Sequence, residues 1–153
     1  MIVKRRDGTG NWPTYHKGTS ANPEQNYLFL NSTQAVLSSI SYWNYTAPTN
    51  THFSVRTNND VNGVIGGKYI AYLFATLAGV SKVGSYTGTG SNVDVDCGFS
   101  AGARFILIKR TDSTGDWYVW DSVRGIVAGN DPYLLLNSTA AEVTSTDYID
   151  PLS

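Results

Sequence analysis

Residues 2–12 read IVKRRDGTGNW and recur as LIKRTDSTGDW at residues 107–117. Residues 27–33 read YLFLNST and recur as YLLLNST at residues 133–139. The offset is 105 residues in the first pair and 106 in the second, so a single insertion separates two copies of one segment. Internal similarity at a fixed spacing indicates a repeat architecture, which decides how the rest of the chain is read.

The duplication divides the chain into three parts: residues 1–44 (copy 1), residues 105–150 (copy 2) and residues 45–104, which occur once (the single-copy segment). We interpret residues 1–153 as a single β-sandwich unit made of about one and a half copies of a repeat of about 105 residues. A partial repeat cannot bury its apolar face alone. We therefore expect either a piece of a longer tandem protein or a chain that neighbouring copies complete.

Composition narrows the classes of function. Only 15% of the residues are charged and the formal net charge is -1, which argues against nucleic-acid binding through phosphate neutralisation. The single cysteine, Cys97, excludes an internal disulfide and is read as a small buried strand residue. No apolar run has the length of a membrane span, so we expect a soluble chain without a membrane partner.

Short Tyr-, Val- and Ile-rich runs separated by Asp, Gly and Asn turns predict an all-β chain. Their spacing favours an antiparallel two-sheet β-sandwich or jelly roll with about ten or eleven strands. Residues 68–75 are the most apolar run and predict a central strand. The other predicted strands are residues 2–5, 12–16, 27–30, 51–56, 80–86, 93–99, 105–110, 117–121 and 133–136.

Exposed aromatic side chains would suit sugar binding, because an aromatic platform stacks on a sugar ring while neighbouring polar groups orient it. The candidate glycan-binding residues are Trp43, Tyr45, Tyr118 and Trp120. Core packing is the alternative for each of them. It is favoured for Trp12 and Trp117, which recur at one position of the repeat.

A second candidate is a metal site at Asn58, Asp60 and Asn62, where oxygen side chains alternate before Gly63 as in the first half of a calcium loop. The closing glutamate is missing, because Tyr69 occupies its position. An Asn/Gly-rich turn is the favoured alternative, so no cofactor is expected and calcium remains a possibility. No catalytic residues are predicted, and we expect a protein that is not an enzyme.

The sequence Asn-Ser-Thr occurs at residues 31–33 and again, at the same repeat position, at residues 137–139. It matches the glycosylation acceptor pattern, as does Asn-Tyr-Thr at residues 44–46. We favour a structural interpretation, in which these side chains terminate a strand by bonding to the local backbone.

Several longer motifs together support a family resemblance: WPTYHK at residues 12–17, YLFLNST at 27–33, TAPT at 46–49, YIAYLFA at 69–75 and GVSKVGSYTG at 79–88. Over nearly its full length the chain resembles tandem repeats of large virion-associated proteins of marine bacteriophages, of the tail-fibre or appendage kind. Those repeats look like concanavalin A/laminin-G-type jelly rolls. The resemblance implies an extracellular or virion-surface location and carries over no catalytic residues.

The first function hypothesis is a non-enzymatic structural or adhesion repeat that builds an extracellular fibre or a phage tail appendage. Its partners are copies of itself, which complete each other by β-strand addition. The alternative is a lectin-like module for host-surface glycans, and a glycan hydrolase ranks third because no acid/base pair is convincing. The predicted assembly strand is either Ile106, Leu107 and Ile108 or Tyr133, Leu134, Leu135 and Leu136.

Overall fold

The structure is a computed structural model that describes residues 1–151. Runs of β-forming residues that end at Asp, Gly and Asn turns fold into short antiparallel strands. The described residues form eight strands and a single 3-10 turn, in two antiparallel sheets. The all-β, two-sheet prediction is confirmed. The elements are β1 (Ile2–Arg5), β2 (Pro13–Thr14), η1 (Pro23–Gln25), β3 (Asn26–Phe29), β4 (Leu37–Ser38), β5 (Tyr69–Tyr72), β6 (Phe105–Lys109), β7 (Trp117–Asp121) and β8 (Leu134–Leu135).

The chain divides into two compact units, each with one sheet. Unit 1 contains Met1–Phe74 and Arg110–Gly115, and its five strands run in the order β4-β3-β2-β1-β5. Unit 2 contains Ala75–Lys109 and the described residues from Asp116 onward, and its three strands run in the order β6-β7-β8. The prediction of one single unit over residues 1–153 stays a prediction.

The two copies fold with the same strand register. Ile2 pairs with Thr14 in copy 1, and the equivalent Leu107 pairs with Val119 in copy 2. On the other side of the hairpin, the Thr14–Leu28 pair of copy 1 corresponds to the Val119–Leu134 pair of copy 2. Strands β6, β7 and β8 are therefore the counterparts of β1, β2 and β3.

Aromatic packing forms the core of unit 1. Trp43 is completely buried, and the ring of Tyr15 meets it edge-on with a centroid separation of 6.0 Å. Tyr42 stacks on Tyr27 at 4.0 Å. The single-copy segment closes this core with Val61, which is buried, and with Val55 and Tyr69, which are partly buried. Copy 1 therefore depends on the single-copy segment for its cover.

Unit 2 has a smaller core of Trp117, Val119, Trp120 and Tyr133. The carboxylate of Asp131 is buried beside it and is satisfied by the backbone: the N–H of Val127 donates to Oδ1 at 2.9 Å, and the N–H of Ile149 donates to Oδ2 at 3.4 Å. A buried carboxylate is tolerated because these donors replace water.

The single-copy segment departs from prediction. Residues 51–56, 80–86 and 93–99 form no strands, although Leu77 and Ser81 make an isolated bridge. The apolar run predicted as a central strand is shorter, and its strand β5 lies at a sheet edge. Alternating sequence gives strand propensity, but a strand also needs a hydrogen-bonded partner, and most of residues 73–104 are exposed. No helix in the described part of the chain is long and apolar enough to cross a membrane.

Candidate functional site

Each copy closes its hairpin with an asparagine clasp. In copy 1, Asn31 Oδ1 accepts from the backbone N–H of Trp12 at 3.0 Å, and Asn31 Nδ2 donates to Asn11 Oδ1 at 3.1 Å. The hydroxyl of Ser32 accepts from the N–H of Gln34 at 3.1 Å. These bonds end β3 and fix the start of the strand next to it.

Copy 2 reproduces this clasp atom for atom. Asn137 Oδ1 accepts from the N–H of Trp117, and Asn137 Nδ2 donates to Asp116 Oδ1, both at 2.7 Å. The hydroxyl of Ser138 accepts from the N–H of Ala140 at 3.0 Å. The structural interpretation of the two Asn-Ser-Thr sequences is therefore confirmed, since both asparagine side chains are engaged by the chain itself.

The turn between the first two strands of each copy carries the same ion pair. Arg5 Nε lies 2.7 Å from Asp7 Oδ1, and Arg110 Nε lies 2.7 Å from Asp112 Oδ1. The arginine hydrogen bond lowers the pKa of each aspartate below its ordinary value. Exposed pairs of this kind add little stability, but they define the shape of the turn.

The copies differ at the outer edge of their first strand. In copy 1, β1 pairs with β5 in the register Ile2↔Tyr72 to Arg5↔Tyr69. The N–H of Arg6 extends this ladder by donating to Lys68 O at 2.8 Å. In copy 2, β6 has β7 on one side and, among the described residues, no strand on the other. One copy therefore shows an occupied edge and the other an open one.

A second contact in unit 1 joins the turn at Arg110–Gly115 to residues 33–36. The N–H of Val36 donates to Thr111 O at 2.9 Å, and the N–H of Gly115 donates to Thr33 O at 2.9 Å. We call this contact the turn dock. Sequence reasoning did not identify it, because a contact between backbone groups leaves no side-chain signature; only the repeat spacing hints at it.

The predicted assembly residues all lie in the three-stranded sheet or beside it. Ile106, Leu107 and Ile108 are half-buried in β6. Tyr133 is buried and bridged to Val143, Leu134 and Leu135 form β8, and Leu136 is exposed. Strands β6 and β8 are both edge strands of this sheet, each paired with β7 on one side, and the second run makes one further bridge, from Tyr133 to Val143.

The four predicted glycan-binding residues differ in exposure. Trp43 is 0% exposed and donates from Nε1 to Asn26 O at 2.8 Å, and Trp120 is only 3% exposed. The prediction of an exposed platform is wrong for these two, because the apolar area of each ring is buried in a core. Tyr118 is half-buried and stacks on Trp120, while Tyr45 is 51% exposed. Trp43 and Tyr45 belong to unit 1, and Tyr118 and Trp120 belong to unit 2.

The predicted metal residues form a turn. Asn58 Oδ1 accepts from the N–H of Asp60 at 2.8 Å, and Asn58 O accepts from the N–H of Asn62 at 2.9 Å. The carboxylate of Asp60 accepts from the backbone and side-chain nitrogens of Asn11, at 3.2 and 3.4 Å. Within residues 1–151 there is no cluster of three or more His, Cys, Asp or Glu that could hold a metal ion. Calcium binding remains a prediction.

The whole length of the chain, residues 1–153, matches one family model. That family is described as a domain of unknown function (DUF7483). The chain belongs to the DUF7483 family. No curated protein and no solved structure matches this DUF7483 chain. The clasps, the turn dock and the open edge of β6 are therefore the features that bear on its function.

Proposed function

We propose that this chain is a non-enzymatic structural or adhesion repeat that builds an extracellular fibre or a phage tail appendage. Neighbouring copies complete each other by β-strand addition. The observation that carries the proposal is the open outer edge of β6, whose counterpart β1 is covered by β5. The sequence resemblance to virion-associated repeats supports the setting.

An open strand edge presents a row of backbone donors and acceptors to solvent, which is a template for pairing with another chain. A second exposed surface of copy 2, at the ring of Tyr148 beside Tyr133, favours the same outcome. Tyr42 of copy 1 is 5% exposed under the single-copy segment, whereas its counterpart Tyr148 is 58% exposed. Covering such an aromatic ring removes apolar area from water, which stabilises association. The fitting occupant is a segment with the chemistry of residues 45–74, of which β5 is the pairing strand.

The edge can be blocked without breaking the sheet. The N–H of Ser122 donates to Arg104 O, and because hydrogen-bonded pairs alternate along an antiparallel ladder, the N–H of Leu107 points away from β7. We expect Leu107→Pro to keep the β6–β7 pairing and to remove a donor from the open edge. Leu107→Ala is the matched control, since it shortens the same side chain and keeps the N–H.

Sedimentation velocity over a concentration series, with electron microscopy of the same samples, measures the effect. We expect the natural chain and Leu107→Ala to associate, and Leu107→Pro to associate much more weakly with an unchanged β-type circular dichroism spectrum. A natural chain that stays monomeric at millimolar concentration would contradict the assembly function. Equal association of Leu107→Pro and Leu107→Ala would show that the β6 edge is not a joint.

A lectin-like function is the second candidate, and Tyr45 is the observation that favours it. Its ring is 51% exposed, and both Asn44 and Tyr45 have left-handed backbone, with φ of 54° and 51°. Non-glycine residues in this region store strain, and such strain is concentrated at functional sites. An exposed tyrosine held in this way could stack on a sugar ring.

Glycan-array binding tests the lectin candidate. We expect Tyr45→Ala to abolish any binding signal, and Tyr86→Ala, which removes another exposed tyrosine, to preserve it. Chelation of calcium with EDTA reports separately on the loop at Asn58, Asp60 and Asn62. No binding across a broad array of bacterial-surface glycans would exclude this candidate.

A further inference from the structure

The turn dock provides a template for a contact that the rest of the chain does not use. In unit 1 it joins a turn belonging to copy 2 to a segment belonging to copy 1, through Thr111 and Gly115 on one side and Thr33 and Val36 on the other. Each side of this contact has a counterpart in the other copy. The turn at residues 110–115 corresponds to residues 5–10, and residues 33–36 correspond to residues 139–142.

Both counterparts have unused backbone groups. The carbonyl of Arg6 and the N–H of Gly10, which correspond to Thr111 O and Gly115 N, have no hydrogen-bond partner among residues 1–151. The same holds, over that range, for the carbonyl of Thr139 and the N–H of Glu142. The N–H of Lys68 would face Arg6 O in a regular antiparallel ladder, but it donates instead to Asp7 Oδ2 at 3.0 Å.

Exposure agrees with this assignment. Ala35 and Val36, which take part in the turn dock, are half-buried. Their counterparts Ala141 and Glu142 are exposed. The surface that the turn dock covers at Ala35 and Val36 is therefore exposed to solvent at the equivalent residues of the segment 139–142.

We propose that chains join head to tail through a second turn dock, in which the turn at residues 5–10 of one chain binds residues 139–142 of the next. Glu142 N–H donates to Arg6 O of the neighbouring chain, and Gly10 N–H of that chain donates to Thr139 O. The proposal rests on the self-assembly proposed above and names one of its joints. The occupant is a second chain of the same sequence.

Two of the four hydrogen-bonded positions carry side chains that differ from the internal template, and these two favour the contact. The internal dock places Val36 against Thr111, whereas the intermolecular dock places Glu142 against Arg6. The carboxylate of Glu142 is partly exposed and pairs with Arg124, whose Nε lies 3.4 Å away, so the joint adds Arg6 as a second cationic partner. Opposite charges at neighbouring positions steer association and disfavour wrong partners.

The joint also sets the geometry of assembly. Each chain carries one turn and one receiving segment, and the two surfaces differ, so the contact is heterologous. A heterologous contact that does not close into a ring produces an open filament. Two hydrogen bonds and one ion pair form a weak joint, so we expect it to require high protein concentration or support from the β6 edge.

A charge exchange tests the pairing. We expect Arg6→Glu and Glu142→Arg each to reduce association at least tenfold, because each places like charges at the joint. The double variant Arg6→Glu/Glu142→Arg restores opposite charges and should recover association to within about threefold of the natural chain. Sedimentation velocity at low salt gives the dissociation constants. Failure of the double variant to recover would overturn the pairing.

A cysteine trap tests the location independently. In a Cys97→Ser background, Thr9→Cys/Ala141→Cys should give a ladder of disulfide-linked chains under mild oxidation. The matched pair Thr114→Cys/Ala35→Cys occupies the equivalent positions of the internal dock and should cross-link within one chain. A ladder supports the proposal. Association without any ladder, when the control pair cross-links, would overturn the joint but leave self-assembly intact.

Complete absence of association in the natural chain, by contrast, would remove the proposed function itself. Glu142→Pro adds a final distinction, since it deletes the N–H that the joint needs, whereas Glu142→Gln keeps that N–H and loses only the charge. We expect the proline variant to be the weaker associator. Equal association of the two would contradict the backbone bond.

Discussion

Copy 1 and copy 2 share their internal structure and differ in what covers them. The strand register, the asparagine clasp and the turn ion pair are the same in both. Copy 1 is nevertheless covered by β5 and Val61, whereas Tyr148 and the outer edge of β6 are exposed in copy 2. The duplicated sequence thus specifies a hairpin and its clasp, while burial is supplied by the single-copy segment.

The largest expected difference between the copies is at Trp43, whose counterpart is the half-buried Ile149. Trp43→Ala removes a completely buried ring and the hydrogen bond to Asn26 O, so it should lower the free energy of unfolding by about 3–5 kcal/mol. Ile149→Ala should cost clearly less. Urea unfolding measures both, and equal losses would show that copy 2 is as well covered as copy 1.

The clasp provides the next test. Asn31→Ala and Asn137→Ala each remove one bond to a backbone N–H and one to a side chain, and should cost about 1–2 kcal/mol of unfolding free energy. Asn137→Ala should cost more, since the bonds of Asn137 are shorter and less exposed. Thermal unfolding followed by circular dichroism gives the order. A loss of stability in only one of the two variants would contradict the equivalence of the two clasps.

Tyr42 predicts a pH effect in the covered copy. Burial, with a contribution from Tyr27, raises the pKa of the Tyr42 hydroxyl above its ordinary value. In the unfolded chain tyrosine ionises near pH 10, so the unfolded state loses this proton first and the free energy of unfolding falls as the pH rises through about 10. Tyr42→Phe should make this decline shallower. Phe29→Leu, which perturbs the same cluster without a titrating group, should leave the slope unchanged.

The smallest expected difference is at the turns. Asp7 accepts from Arg5 and from the N–H of Lys68, whereas Asp112 accepts from Arg110. Asp7→Asn should therefore lower the melting temperature more than Asp112→Asn. The pKa of Asp7 is lowered, so its stabilising effect is present above about pH 4 and is lost as the pH falls through that lowered pKa. Scans at pH 7 and pH 2.5, values chosen on either side of about 4, should show the difference shrink at the lower one.

Sequence predicted the duplicated hairpins well, because their strands are neighbours in the chain and their turns contain Asp and Gly. Strand β7 was predicted at the residues observed, 117–121. The single-copy segment was predicted poorly, because alternation at residues 93–99 says nothing about whether a partner strand exists. The eight observed strands are fewer than the ten or eleven expected for the same reason.

The candidate site was only partly predictable. The repeat led to the prediction of residues 106–108 as an assembly strand, which stays a prediction, although β6 does present an open edge. The burial of Trp43 and Trp120 could not be read from their neighbours in sequence, since an aromatic residue in a strand suits a core and a surface equally. The turn dock required coordinates, because it joins backbone groups far apart in the chain.

The exposed part of the single-copy segment, residues 73–104, has a practical consequence. Its described backbone makes few hydrogen bonds, and Lys82 is exposed within it. Segments of this kind are where proteases cut first and where inserted sequence is tolerated. A tryptic nick at Lys82 would leave every strand of both sheets uncut, and the same position is the natural place to insert a tag or a foreign epitope.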